Sequence, residues 1–338
     1  MTVSPIEAIN IPKRGMPVTI ITGFLGSGKT TLLNHILQNQ KDLKVAVLVN
    51  EFGDINIDSQ LLVSVDENMM ELSNGCICCT INDGLVDAVY SVLERGDRID
   101  YMVVETTGVA DPLPIALTFL GTELQHLTRL DSILTVIDAE TFTPKHYDSE
   151  AAFSQIMYGD IMIINKTDLV TPEKISELET YINNQKKGAR ILRSQQGVVP
   201  LPLILDVKID SADLQANQTQ EKEQHDHHDH HHDHGHHHHD HKHHLDNDGF
   251  VAVSFQSDRS LQLEKFQNFL DQQIPVDVFR AKGILNFVDI PNRYIFQLSG
   301  KRYELKTEEG KPAPTQIVLI GRNLNQELLL SQLNDCLD

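Results

Sequence analysis

Tryptophan is absent and aromatic residues make up only 6% of the 338 positions. Basic residues are scarce beside acidic ones: 28 Lys and Arg stand against 48 Asp and Glu, a formal net charge of -20. Such a surface repels nucleic-acid backbones and anionic membranes, so neither is an expected partner, and cations are the more natural cargo. Residues 1–15 hold no continuous apolar stretch, and the first apolar run is too short for a signal sequence or a membrane span. A cytoplasmic protein is expected. Cysteine is also rare, with four in the chain, and three of these fall together as Cys76, Cys78 and Cys79. In a reducing compartment that cluster reads as a metal site or redox thiols, not as a disulfide framework.

Hydrophobic residues make up 40%, enough for a substantial core, and the length suits about two domains. Three regions differ in composition. Residues 15–210 alternate short β-branched runs with amphipathic segments, the pattern of an α/β domain with a mostly parallel sheet. Strands are predicted at 18–22, 45–50, 101–105, 133–138 and 161–165, and helices at 30–40, 85–95, 112–120 and 172–185. Pro112 and Pro172 suit a first helical turn, where the missing N–H costs nothing. Residues 211–248 have almost no apolar side chains and read as a disordered His/Asp-rich linker. Residues 249–338 predict a small α+β domain, with strands at 251–255, 284–289, 294–298, 302–305 and 317–320 and helices at 261–272 and 326–337.

Chemistry concentrates in the first region. Gly23 to Thr30 fits G-x-x-x-x-G-K-[ST] between a predicted strand and a predicted helix, the context a P-loop requires. Gly23, Gly26, Ser27 and Gly28 let backbone amides curl around phosphates, and Thr31 continues the helix N-terminus. Lys29 is placed to reach the β- and γ-phosphates, and Thr30 to put its hydroxyl on Mg2+. Glu105-Thr-Thr-Gly108 ends the third strand: Glu105 can hold Mg2+ through water, and the Gly108 N–H can meet the γ-phosphate. Asn165, Lys166 and Asp168 form N-K-x-D at the end of the fifth strand. Asp168 can accept from the N1–H and N2–H2 edge of guanine, which adenine lacks, so GTP is the expected nucleotide and a metabolite kinase is disfavoured.

Cys76, Cys78 and Cys79 lie between the P-loop and Glu105. Three thiolates favour Zn2+, Cu(I) or tetrahedral Co2+, and an incomplete shell suits a metal that leaves by ligand exchange. A fixed zinc staple or inert buried thiols is the plainer alternative. Glu51, Asp54 and Asp58 follow the second strand, as candidate ligands for Mg2+ or the cargo or as a solvated acidic loop.

The runs GFLGSGKTTLLNHIL, NEFGDINID, ELSNGCICC, ETTGVADP and NKTDLV, in that order, make the chain similar to the CobW-type metallochaperone GTPases, relatives of the HypB and UreG nickel-insertion GTPases. The resemblance covers the GTPase region and, more loosely, the C-terminal domain. It implies slow GTP hydrolysis coupled to metal delivery to a client metalloprotein. In that family Lys29 and Thr30 would contact phosphate and Mg2+, Glu105 would take the Walker B role, and Asn165, Lys166 and Asp168 would bind guanine. Cys76, Cys78 and Cys79 would be the metal thiolates. Family members differ in metal and client, so zinc, cobalt for corrin synthesis, and a regulatory GTPase with a structural zinc all stay open. So does a homodimer.

Fourteen of the 17 histidines fall between His225 and His244, interleaved with Asp226, Asp229, Asp233 and Asp240. Neutral imidazoles such as His225, His227, His228, His230, His231, His232 and His234 bind Zn, Ni, Cu and Co. The stretch reads as a metal-collecting tether of lower affinity than the thiolates; a passive spacer is the alternative. His35, His126 and His146 stand alone and receive no role.

Overall fold

The computed structural model describes residues 15–39, 43–49, 81–94, 99–121, 123–143, 149–206, 250–308 and 314–338. The first domain is a six-stranded sheet with every pairing parallel. Its strands are β1 (Met16–Gly23), β2 (Val45–Val49), β3 (Tyr101–Glu105), β4 (Thr128–Asp138), β5 (Ile161–Asn165) and β6 (Arg190–Arg193). The order β2-β3-β1-β4-β5-β6 reverses at β1. In open α/β sheets such a switch point opens a crevice at the carboxyl ends of the strands, and ligands bind there.

Helices cover both faces, so the strands are largely buried and mostly apolar, as parallel strands tend to be. On one face α1 (Lys29–Asn39) and the short α6 (Leu201–Ile204) pack Leu32, Leu33, Ile36, Leu203 and Ile204 against Ile21, Val47, Val103 and Val136. On the other, α2 (Ile81–Leu93) and α3 (Pro112–Gly121) pack Val89, Val92, Ile115 and Phe119 against Ile20, Leu48 and Val104. Helices α4 (Glu150–Tyr158) and α5 (Pro172–Gln185) cover the β4–β5 side with Ala152, Ile156, Leu178 and Ile182. Side-chain caps start two of them: Ser149 accepts from Ala152 N, and Thr171 accepts from Lys174 N ahead of Pro172.

The second domain is an antiparallel sheet of order β10-β9-β8-β11-β7. Its strands are β7 (Phe250–Ser257), β8 (Val278–Asn286), β9 (Arg293–Ser299), β10 (Arg302–Glu308) and β11 (Thr315–Arg322). Helices α7 (Leu263–Asn268), widening into a π-turn over Phe269–Gln273, and α8 (Gln326–Asp335) close its core around Phe266, Phe269, Phe296 and Leu333. The fourth cysteine, Cys336, is buried there and donates to Gln332 O. Among the described residues no helix is long and apolar enough to cross a membrane.

The two sheets meet at the amino ends of the parallel strands. Phe279, Val318 and Ile320 of the second sheet enter the same core as α1 and α6. Arg302 donates to Asp160 Oδ2 at 2.7 Å and to the carbonyls of Leu130 and Asp131. At the centre is Asp131, 3% exposed. Its carboxylate pairs with Arg129 at 3.1 Å and with Arg280 of β8, and accepts from the Tyr101 hydroxyl and from Asp206 N. Asp206 itself binds Arg129 at 2.6 Å and Lys282 at 3.3 Å. Burial alone would raise the Asp131 carboxyl, but the Arg280 and Arg129 guanidiniums outweigh it and hold the group well below the usual carboxylate range.

The polar cluster explains where sequence patterning misplaced elements. Strand β8 was expected at 284–289 but runs Val278–Asn286, because Arg280 and Lys282 look exposed in a sequence and here pair across the domain contact. Asp289 lies beyond the strand with φ 60, in a turn. Strand β4 begins at Thr128, ahead of the expected 133, for the same reason: Arg129 and Asp131 are buried as ions. Helices α4 and α6 and the four-residue β6 were not anticipated.

A carboxyl held below its normal range contributes stability that is present above its unfolded value, about 3.9, and is lost as pH falls toward the folded one. Asp131→Asn should lower unfolding stability by about 3–5 kcal/mol at neutral pH, because it leaves buried guanidinium charge uncompensated. In urea titrations the gap to the unsubstituted protein should narrow below about pH 4. A gap that stays constant down to pH 3 would show that ionisation of Asp131 is not what holds the domains.

Candidate functional site

The loop between β1 and α1 sits at the carboxyl end of the switch-point strand. Its turn is closed by Ser27 N donating to Phe24 O at 3.2 Å, and α1 begins with Leu32 N donating to Gly28 O. Gly28 has φ +99, and a Cβ there would stand 2.3 Å from Asn165 Nδ2, so glycine is required on both counts. Lys29 is 8% exposed and its ammonium donates to Phe24 O at 3.2 Å, curling the side chain back over the loop. Ser27 Oγ is buried with no hydrogen-bond partner among the described residues, an orphaned polar atom in a loop otherwise built to present polar groups.

Beside the loop, Thr30 Oγ1 donates to Glu105 Oε1 at 2.9 Å. Glu105 is 2% exposed, the last residue of β3, one strand from the loop. A hydroxyl and a carboxylate converging there are hard oxygen donors, the set that suits Mg2+ rather than a soft metal. The residue that pairs with Glu105 across the β2–β3 ladder is Val49, the last of β2.

On the other side, Asn165 is 2% exposed and joins three segments. Its Nδ2 donates to Ser27 O at 3.0 Å, and its Oδ1 accepts from Gly197 N at 3.0 Å. Lys166 adopts φ 61, a left-handed conformation uncommon for a residue with a Cβ. Its ammonium lies 2.7 Å from Asp138 Oδ2, and Asp138 Oδ1 accepts from Glu140 N at 2.9 Å and Thr141 N at 3.3 Å. Burial would raise the Asp138 carboxyl; Lys166 and the Thr141 and Glu140 amides prevail and lower it. Thr167 is tied through its N and Oγ1 to Ser194 O. Asp168 is exposed, in the turn Thr167–Leu169 that follows.

The fold thus brings together Gly23, Gly26, Ser27, Gly28, Lys29, Thr30, Glu105, Gly108, Asn165 and Lys166 at one edge of the sheet, with Thr31 exposed on the first turn of α1 and Asp168 just beyond. Cys76, Cys78, Cys79, Glu51, Asp54 and Asp58 lie outside the described residues, as do His225, His227, His228, His230, His231, His232 and His234. Among the described residues no three His, Cys, Asp or Glu side chains group as a metal site. Sequence reasoning passed over Asp138, Gln155 and the turn at 194–197. Asp138 had a visible signal, since it ends a predicted strand and pairs in register with Asn165. Gln155 had none, because the helix that carries it was itself not anticipated.

Asp138→Asn should free Lys166 and weaken GDP and GTP binding alike, by about tenfold, with the fold retained. Fluorescence titration with both nucleotides checks this. Unchanged GDP affinity would mean that Lys166 keeps its place without Asp138.

The nucleotide-binding domain described as CobW/HypB/UreG matches residues 17–193, and the cobalamin synthesis protein cobW C-terminal domain matches residues 250–337. A zinc-regulated GTPase metalloprotein activator 1 of Schizosaccharomyces pombe is 33% identical, covering 92% of this chain and 83% of its own length. The zinc chaperone YjiA of Escherichia coli is 32% identical, covering 92% of this chain and 95% of that protein. The zinc chaperone CobW of Pseudomonas aeruginosa is 30% identical over 95% of this chain and 92% of its own. Among solved structures, Zn(II)-bound YjiA GTPase from E. coli aligns with a TM-score of 0.44 at 24% identity, over 96% of this chain and all of that one. With both of its domains matched in order, this chain belongs to the CobW/HypB/UreG family of nucleotide-binding proteins.

Proposed function

We propose that this GTPase couples its nucleotide cycle to holding a transition metal, zinc, and handing it to a client metalloprotein. The observation that carries the reading is the pairing of Val49 with Glu105. Val49 is the last described residue before the stretch 50–80, which bears Cys76, Cys78 and Cys79, and it is the ladder partner of the carboxylate placed for Mg2+. A change around the γ-phosphate therefore acts at the root of the thiolate segment. Zinc is favoured by the names of the relatives, two of them zinc chaperones and one a zinc-regulated activator.

Asp168 accepts from the guanine N1–H and N2–H2, while Asn165 and Asp138 hold the loop that presents it. Lys29 and the amides of the β1–α1 loop cradle the phosphates. Thr30 and Glu105 would hold Mg2+, which would offset the negative charge that develops on the phosphates. Water attacks the γ-phosphorus, the bond to the β–γ bridging oxygen breaks, and GDP and phosphate leave. In this reading residues 15–210 are the GTPase unit, the histidines within 211–248 collect metal, and 249–338 is the CobW-like C-terminal domain. The cytoplasm suits thiolates that must stay reduced.

Reciprocity demands that if nucleotide changes zinc affinity, zinc changes nucleotide affinity by the same factor. In chelator competition on protein lacking residues 225–244, zinc affinity with Mg2+ and a non-hydrolysable GTP analogue should differ from that with Mg2+ and GDP by about tenfold or more, about 1.4 kcal/mol. Equal affinities would sink the metal cycle and leave a structural zinc.

Base choice is tested separately. Asp168→Asn replaces an acceptor by a group that can donate to the C2 carbonyl of xanthine. GTP binding should fall by at least about a hundredfold and XTP binding should appear. Retained GTP preference would show that Asp168 does not read the base.

A further inference from the structure

Gln155 is the long polar side chain that α4 turns inward. It is fully buried. Its amide nitrogen donates to Gly108 O at 3.2 Å and to Ala110 O at 3.1 Å, across 47 and 45 residues of sequence. Its oxygen Oε1 is buried with no partner among the described residues. A methionine would fill similar space without leaving that acceptor unpaired. The use of the amide therefore lies in what its nitrogen grips.

What it grips is the loop between β3 and α3. The loop leaves the sheet with Thr106 N donating to Ile21 O at 2.9 Å and Thr106 Oγ1 donating to Thr22 Oγ1 at 3.1 Å. It turns where Ala110 N donates to Thr107 O, and it enters α3 where Leu113 N donates to Asp111 Oδ1. Between these ties Gly108 lies hard against the β1–α1 loop: a Cβ on it would stand 2.5 Å from Leu25 N. Thr107 Oγ1 is buried in the same loop without a partner among the described residues.

Peptide planarity turns the grip into an orientation. With the Gly108 carbonyl aimed at Gln155, the Val109 N–H of the same trans peptide faces the opposite way, away from Gln155. The Ala110 carbonyl fixes the Asp111 N–H in the same manner. We infer that Gln155 is a positioning residue for γ-phosphate recognition: it holds the Gly108–Ala110 peptides from behind and thereby sets the preference for GTP over GDP. The inference rests on the assignment above of the Glu105–Gly108 segment to the γ-phosphate side of the nucleotide.

Gln155→Met keeps the volume and removes both donors. Affinity for a non-hydrolysable GTP analogue should fall about tenfold, the worth of two ordinary hydrogen bonds, while GDP affinity stays within about twofold. The rate constant kcat should fall at least as far, because the peptides that Gln155 holds flank the Gly108 N–H assigned to the γ-phosphate, where charge develops in the transition state. If the methionine variant yields too little folded protein, Gln155→Asn sets the amide one carbon short and should give the same shift in the ratio of the two affinities. Equal losses for both nucleotides, or no change in either, would overturn the positioning role and leave Gln155 as a packing residue. The unsubstituted full chain is measured first: failure there to hydrolyse GTP would overturn the GTPase reading itself, before any variant is compared.

Discussion

A carboxylate sealed between two guanidiniums is tolerable only when every partner is present, because each ion has given up its water. Asp131 is in that position. It and Arg129 come from β4, whereas Arg280 comes from β8, so neither domain satisfies the cluster alone. The cluster anchors the antiparallel sheet at the amino ends of the parallel strands. Among the described residues the second sheet leaves the carboxyl ends uncovered, which is where the order reversal at β1 calls for a ligand.

The nucleotide edge is assembled from loops that hold one another. Asn165 binds the β1–α1 loop and Gly197 at once, Asp138 holds Lys166 in a left-handed backbone, and Thr30 meets Glu105. Each of these side chains is near the end of a strand or helix whose core face is apolar. Rigid elements supply the precision, and short polar bridges convert it into a fixed arrangement of donors and acceptors. Lys166 is one of four non-glycine residues with a left-handed backbone among the described residues, and it lies within the motif expected to meet the base.

The parts of this arrangement that could be seen in the sequence share one property: local spacing carries them. The loop from Gly23 to Thr30 needs its glycines at fixed offsets, and N-K-x-D needs only a strand before it. Helices that open on Pro112 and Pro172 announce themselves in the same way. What stayed hidden depends on partners far along the chain. Arg280 and Lys282 interrupt the apolar pattern of β8, and only the presence of Asp131 and Asp206 makes a strand of them. Gln155 is one residue in an unremarked amphipathic stretch until the fold sets it behind Gly108. Local patterns report local geometry; ion pairs between residues 76 and 149 positions apart leave no periodic trace.

The anchoring of Asp206 has a consequence for the histidine-rich stretch. Residue 206 is held by Arg129 and Lys282 on one side of that stretch, and β7, on the other, pairs with β11 along its whole length. Both ends of the insert are therefore fixed by contacts that the insert does not make. Closing a longer loop between fixed ends costs only about 0.6 kcal/mol per doubling of its length. The number of residues between 206 and 250 is thus a nearly free variable as far as closure entropy is concerned. A chain can gain or lose imidazoles there while the architecture on either side keeps its own contacts.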